Sequence, residues 1–551
     1  MPTPSRTVDP VTTESGLTPT RAGTPASARK QAAGSRGVAL LVAAAGGLIT
    51  ETAFPGKSWW VMAYLGVALL LLVLRIDSIR AGFVRAFVFG LGLFLPHLWW
   101  ANEAVGQPIG WLALSAAQAG MVGAFGVSVV WVRRTPAVRS RAWLDCVAVA
   151  VLWVAVEHLR GRVPFGGFPW ATLAFSQTDA PMLGLAPVGG STLVSFIVVL
   201  VAAVLAKVLA YSRQTGPTRG VLAGMALAAG LVLAPGLLPL ATEAQSGVLR
   251  VGAVQGNVPV RGAEATSQAR AVLQNHAAGT RAMVQRTAPD RLDLVLWPES
   301  ASDIDPRTDD RARAVVDGAA RAAGAPILLG TQRFRGEIRY NDYLLWRPSI
   351  GAAASYTKQH PVPFGEYIPY RSFFRRLTPA VDLVTTDMVA GADPSPIAVP
   401  IDRLGRSVPI TTGICFEVAY DDLIRQSVLA GGELIVIPTN NASFGMTQES
   451  TQQLAMSRFR AAEHGRAVIQ ISTVGVSAVI APDGSVVERT SLFTADQLVA
   501  EVPLRTSTTL SDQLGRWLAV AVDCLAGLLL AGTLVTTLRS RRATKSLRDG
   551  R

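Results

Sequence analysis

Three side chains in the second half of this 551-residue chain could do chemistry together: Glu299 in VLWPES, Lys358 in YTKQHPVPFGEYIP and Cys415 in ITTGICFEV. A thiol becomes a good nucleophile as its thiolate, and a free cysteine titrates near about 8.5. A carboxylate can take that proton and later return it to a leaving group. An ammonium favours the thiolate and steadies the oxyanion of a tetrahedral intermediate. Each candidate sits at or just past a strand-like run. Taken singly, an inert buried thiol, a capping carboxylate and a surface lysine are ordinary, and spacing along the chain does not decide between these readings.

The elements that must position these groups fall into two kinds. Half of the residues are apolar and 16% are charged. The apolar residues concentrate in runs long enough to cross a bilayer as helices. Seven precede residue 246, at about 37–54, 58–75, 81–101, 108–132, 142–159, 187–211 and 219–241, and an eighth lies near 514–538. Every second connection is basic, beginning with the N-terminal tail and including Arg133, Arg134, Arg139 and Arg141. Lys and Arg favour the cytoplasmic side, so both termini are expected in the cytoplasm and the segment 247–511 on the outer face. Cys146 and Cys524 fall in the apolar runs, leaving Cys415 alone in that outer segment, where an unpaired thiol is exposed to oxidation.

The net charge of +13 belongs to the membrane part and its tails, because 247–511 carries 26 basic and 26 acidic residues. The excess is therefore a topology signal, and nucleic acid is not an expected partner. Residues 1–36 are rich in Pro, Ser, Thr, Gly and Ala and read as a disordered cytoplasmic tail. The boundaries expected from composition are 1–36 tail, 37–246 seven-helix membrane region, 247–511 outer domain, 512–538 eighth helix and 539–551 basic cytoplasmic tail. Between the fifth and sixth runs, residues 157–187 hold Pro, Gly and the rings of Phe165, Phe168, Trp170 and Phe175. That composition suits an interfacial connector or a hydrophobic floor beneath a site, and His97, Trp99 and Trp100 fall at the same level.

Within 247–511, LRVGAVQGN, LDLVLWPES, PILLGTQRF, ITTGICFE and ELIVIPTNN read as strands. Helices are expected at about 263–286, 309–323 and 448–465, and a hairpin at Asp483–Gly484. Strands alternating with helices predict a layered α/β domain. Residues 363–390 mix aromatic rings with Arg371, Arg375 and Arg376 and suit a mobile interfacial flap.

WPES, the lysine of YTKQHPVPFGEYIP and the cysteine of GICFE, in that order, resemble the Glu-Lys-Cys set of the nitrilase superfamily. The longer wording is similar to its membrane-embedded branch, the apolipoprotein N-acyltransferase family of the bacterial envelope. VQGNVP, TNNASFG, RFRAAEHGR and GRVPFGGFPW carry that similarity, together with the layout of the helices. The resemblance implies a polytopic α-helical membrane protein with eight transmembrane helices, carrying an extracytoplasmic α/β nitrilase-like αββα sandwich. It gives Glu299 the role of general base, Lys358 that of oxyanion-stabilising amine and Cys415 that of nucleophile. Glu366 and Glu417 become supporting carboxylates, and Phe416 offers its backbone N–H to the oxyanion. Asn341, His360, Pro369 and Arg466 also fall on family-like positions.

The chemistry so implied is acyl transfer from a membrane phospholipid, through a thioester, to the α-amine of a diacylglyceryl apolipoprotein. No metal or cofactor is called for, and a monomer in the bacterial plasma membrane is expected. Phe416 in place of a common Tyr, Ser443 in place of a common Trp, VRGAEATSQAR without a Trp and STVGVSAVI without its Asn-rich turn depart from the family pattern. They leave the catalytic groups intact and bear on substrate preference. A tethered amidase and an inactive membrane scaffold are the rival readings. Eight helices exceed what a tether needs, and a scaffold has no chemical use for all three groups.

Overall fold

The computed structural model describes residues 25–258, 265–287, 292–393 and 396–549. Six helices among them are long and apolar enough to cross a membrane, including Ile79–His97, Pro108–Val132, Ala142–Arg160 and the helix beginning at Arg516. Two further expected runs fall in the helix Pro25–Glu51 and in the shorter Val61–Val73. Residues 25–36 therefore do not belong to an irregular tail, since the first helix begins at Pro25. Ala, Lys, Gln and Arg fill that stretch and are good helix formers. The remainder of the expected tail, residues 1–24, lies outside the described residues, as does the VRGAE part of the departure noted above.

The domain after the seventh apolar run is built on two sheets. The first uses β1 (Val248–Gln255), β2 (Leu294–Leu296), β3 (Ile327–Arg335), β4 (Ile338–Arg347), β5 (Gly351–Thr357) and the short β6 (Asp387–Met388). The second uses β7 (Ile397–Ile401), β8 (Arg406–Thr412), β9 (Leu434–Thr439), β10 (Val468–Ser472), β11 (Ala478–Ile480) and β12 (Val486–Arg489). The chain then returns to the first sheet as β13 (Asp496–Pro503), antiparallel to β1. The orders are β13-β1-β2-β3-β4-β5, with β6 on β4, and β12-β11-β10-β9-β8-β7. β1, β2 and β3 run parallel, as do β8, β9 and β10. The expected hairpin joins β11 to β12, with Gly484 at φ +84°.

The sheets face each other across a dry core of Leu249, Val251, Leu296, Leu328, Val399, Ile410, Val436 and Ile469. Helices Ala265–Thr287 and Asp310–Ala323 cover the outer face of the first sheet. Helices Asp421–Leu429 and Glu449–His464 cover the second, completing an αββα sandwich. This last layer also packs on the membrane region. Phe416, Ile424, Ile435 and Phe459 share one continuous apolar cluster with Leu70, Phe89, Val149 and Val198 of the membrane region. The sandwich thus rests on the helices through its own fourth layer.

One expected strand ends early. β8 stops at Thr412, and Cys415–Ala419 forms a 3-10 turn in place of the ITTGICFE extension. Glu417 closes the start of this turn by accepting the Ile414 N–H at 2.7 Å.

Candidate active site

The carboxyl ends of three strands gather the three groups, and two of these strands, β2 and β8, lie in parallel pairs, the edge where open α/β sheets place their sites. Glu299 lies just past β2, Lys358 directly after β5 and Cys415 just past β8. Gly330 on β3 permits the close approach: a Cβ there would stand 2.6 Å from Glu299 Cα. Cys415 has φ +55°, in the left-handed region that costs an L-residue roughly 1 kcal/mol or more. The flanking 3-10 turn holds it there.

Lys358 is 1% exposed. Its Nζ lies 2.7 Å from Glu366 Oε1 and 3.4 Å from Glu299 Oε1. Glu299 is completed by Asn341 Nδ2, which donates to Oε1 at 2.6 Å, and by the Asn440 N–H, which donates to Oε2 at 2.8 Å. Glu366 also accepts the Val362 N–H at 2.7 Å, which fixes the loop after Lys358. Asn341 further accepts the Lys358 N–H on its carbonyl at 2.9 Å. One ammonium is thus shared by two carboxylates in a buried setting.

The electrostatics follow from that sharing. Burial works against the Lys358 ammonium, but Glu299, Glu366 and Cys415 outweigh it and hold the amine above the ordinary lysine value. Burial raises the Glu299 carboxyl, and Lys358 opposes the rise while Glu366 adds to it. Burial also pushes the Cys415 thiol well up, with Glu299, Glu449 and Glu366 adding and Lys358 opposing. The resting site therefore keeps a neutral thiol beside an ionised lysine, and a nearby base is needed to make the nucleophile.

Glu417 is fully buried and does not touch Lys358 or Cys415 directly. Its Oε1 accepts the N–H groups of Gln359 at 2.6 Å and His360 at 2.9 Å, and its Oε2 accepts Tyr356 Oη–H at 2.9 Å. With its bond to Ile414, it ties the backbone beyond Lys358 to the backbone before Cys415. The Phe416 ring stacks on Trp170 at 5.4 Å and on Phe168 at 5.6 Å, both from the loop between membrane helices. Trp100 packs against Trp170 and Phe444 at the same level. The aromatic connector is thus a floor beneath the Cys415 turn. The His360 ring stacks on Tyr420 at 4.3 Å, and Pro369 is buried at the base of the flap.

Arg466 is not brought to this cluster. Its guanidinium donates to the carbonyls of Gly432, His464, Gly465 and Ser507, so it fastens the end of a helix to the strand-to-membrane connection. Its place in a family-like motif reflects architecture. Sequence reasoning also passed over Asn440, Asn441, Glu449, Gln452 and Gln453. Gln453 Nε2 lies 3.6 Å from Cys415 Sγ, and Asn441 Nδ2 donates to Glu449 Oε2 at 2.6 Å. The available signal was the expected helix at 448–465, which has polar residues on every face.

A Glu-Lys-Cys set, with Glu299 and Lys358 buried and Cys415 half-buried, at the edge of an αββα sandwich carried on membrane helices defines a nitrilase-like domain of a membrane protein. Residues 250–511 match the carbon-nitrogen hydrolase family, and residues 46–204 match the apolipoprotein N-acyltransferase N-terminal domain. The chain is 36% identical to the apolipoprotein N-acyltransferase of Mycolicibacterium smegmatis over 91% of its length and 86% of that protein's. It is 32% identical to that of Azotobacter vinelandii over 92% of its length and 96% of that protein's. Among solved structures, a mutant of the Nesterenkonia AN1 amidase from the nitrilase superfamily is 16% identical, with a TM-score of 0.36. That alignment covers 50% of this chain and 97% of the amidase. This chain belongs to the apolipoprotein N-acyltransferase family.

Proposed function

We propose that the protein moves a fatty acyl chain from a membrane phospholipid to the α-amine of the diacylglyceryl-cysteine that begins an apolipoprotein, the last step of lipoprotein maturation. The observation that carries this reading is the buried Lys358 ammonium held between Glu299 and Glu366, over an aromatic floor supplied by the membrane region. Both substrates are lipids, and a site whose floor is built by a membrane connector suits substrates arriving from the bilayer.

In the first step Glu299 takes the Cys415 proton as sulfur attacks the ester carbonyl. The oxyanion is met by Lys358 and the Phe416 N–H. Its collapse breaks the acyl C–O bond, and Glu299 returns the proton to the leaving oxygen, releasing a lysophospholipid and leaving an acyl-thioester. In the second step the acceptor amine attacks the thioester and loses a proton to Glu299. The C–S bond breaks, an amide forms and Cys415 regains its proton. Asn341 and the Asn440 N–H keep Glu299 aimed throughout, and Glu417 keeps the two loops in register. The arrangement proposed around this chemistry is eight membrane crossings, with the domain 247–511 outside, both termini in the cytoplasm and a single copy at work.

Intact mass spectrometry after incubation with a phospholipid tests the reading. The wild type is expected to gain a hydroxylamine-labile acyl mass, with loss of at least about a thousandfold in Cys415→Ala and Glu299→Gln. A folded wild-type protein that gains no adduct from several phospholipids would overturn it.

A further inference from the structure

The charges that face Cys415 do not suffice to hold a thiolate. Lys358, beyond β5, favours it, while Glu299 beyond β2 and Glu366 from the flap oppose it, and Glu449 from the adjoining helix does so once it ionises. Two of these carboxylates already share the one ammonium. A donor that adds no charge is what the sulfur still lacks, and the Glu449–His464 helix supplies one. Gln453 is fully buried, and its Nε2 lies 3.6 Å from Cys415 Sγ.

The orientation of this amide is fixed from the far side. Asn441 Nδ2 donates to Gln453 Oε1 at 3.0 Å, so the Gln453 oxygen is committed as an acceptor and its N–H₂ faces the sulfur. Asn441 is fixed in turn: its Nδ2 also donates to Glu449 Oε2, and its Oδ1 accepts from Thr439 Oγ1 at 2.6 Å and Ser472 Oγ at 2.5 Å. Gly475 completes the arrangement, since a Cβ there would lie 2.3 Å from Asn441 Oδ1. Every link is buried, and a buried network satisfied along its length holds one geometry.

We propose that Gln453 is a catalytic residue whose amide N–H donates to the Cys415 sulfur, with Asn441 as its positioning residue. The bond steadies the thiolate as Glu299 removes the proton. It serves again in the second step, when the C–S bond breaks and its electron pair returns to sulfur before the proton does. Glu449 completes the network without touching the sulfur. The proposal rests on Cys415 as nucleophile and is independent of which acyl donor is used.

The test is the pH dependence of Cys415 alkylation by iodoacetamide, read by intact mass on the detergent-solubilised full chain, beside the rate of acyl-enzyme formation from phospholipid. Gln453→Leu is expected to move the alkylation midpoint to higher pH and to slow acylation about tenfold to a hundredfold. Gln453→Glu keeps the shape, places an acceptor against sulfur and is expected to move the midpoint further. Gln453→His keeps a donor and is expected to recover part of the loss. An unchanged midpoint in folded Leu and Glu variants overturns the proposal, and so does failure of both to fold, which would make Gln453 a structural residue. Alkylation that responds as expected in a protein that forms no acyl-enzyme would leave this proposal standing and remove the phospholipid reading.

Discussion

The two helix layers of the sandwich are built by opposite rules. Asp310–Ala323 buries Ala312, Val316, Ala319 and Ala320 on one stripe and leaves its arginines to solvent. Asp309 caps its start by accepting the Ala312 N–H at 2.7 Å, and Gly324 ends it in the left-handed region. Glu449–His464 has polar residues on every face, yet all but Thr451 and Arg458 are buried. A helix of that composition is stable inside a protein only if most of its polar groups find partners. Gln452 accepts from Trp170 Nε1 at 2.7 Å and donates to the His97 carbonyl at 3.1 Å. Ser457 donates to Gln470, and His464 Nδ1 pairs with Asp512 Oδ1 at 2.6 Å. The first layer covers a sheet, while the second joins membrane, nucleophile and sheet at once.

Arg460 offers the largest break of that contrast. Its Nε and Nη2 donate to the carbonyls of Val418 and Ala419, each at 2.9 Å, at the end of the turn that carries Cys415. Its Nη1 pairs with the fully buried Glu463. Arg460→Ala leaves Glu463 buried without its cation, and a loss of about 3–5 kcal/mol is expected in thermal or denaturant unfolding. The rate of Cys415 alkylation should also change as the turn loosens. A variant as stable as the wild type would mean that water reaches this layer and that the contrast between the layers is false.

Glu449 sharpens the comparison through pH. Burial pushes its carboxyl from an ordinary value of 4.5 up to about 8, with Asn441 opposing and Glu299 adding. The folded protein then holds a proton that the unfolded chain has already released, so stability falls as pH rises through the window from 4.5 to about 8. Glu449→Gln keeps the shape and removes the titration. Its melting temperature is expected to fall less than that of the wild type between pH 5 and pH 8.5. Parallel curves would show the carboxyl to be ionised in the folded state.

Gln452 ranks next. Gln452→Leu strips the Trp170 indole of its acceptor and is expected to cost about 1–3 kcal/mol. Tryptophan fluorescence should shift as the ring beneath Phe416 loses its hold. An unaltered spectrum with full stability would separate the membrane floor from the catalytic layer.

How much of this was legible in the sequence divides along the same line. The strand ends carrying Glu299, Lys358 and Cys415, the amphipathic helix at 309–323 and the hairpin at Asp483–Gly484 rest on local signals: apolar runs, a caps-and-stripe pattern and a turn dipeptide. The apolar runs likewise marked the membrane helices, although Val61–Val73 is shorter than its run. Glu366, Glu417 and Asn341 came from a resemblance, and their work as loop fasteners became visible only with their partners in place. Arg466 lay in a family-like motif and turned out to hold carbonyls away from the site. The polar helix gave no stripe to read, because its partners come from other segments, some more than a hundred residues away, such as Trp170 and His97. Its function lies in tertiary pairing, which periodicity does not encode.

The smallest expected effect lies on the solvent-facing layer and divides one ion pair into two roles. Arg321 pairs with Asp317 one turn earlier and is 56% exposed. An exposed pair at this spacing contributes about 0.3–0.5 kcal/mol, and alanine is the better helix former. Arg321→Ala is therefore expected to leave both unfolding and Cys415 alkylation within error of the wild type. Asp317 does more, since its Oδ1 also accepts the Ser349 N–H at 2.9 Å and lies 3.4 Å from Trp346 Nε1. Asp317→Ala should cost about 1–2 kcal/mol while leaving alkylation unchanged. The two variants together separate the charge pair from the carboxylate's hold on the β4–β5 turn. Equal costs would show the pair itself to matter, and a change in alkylation from either would carry the influence of the outer layer across both sheets.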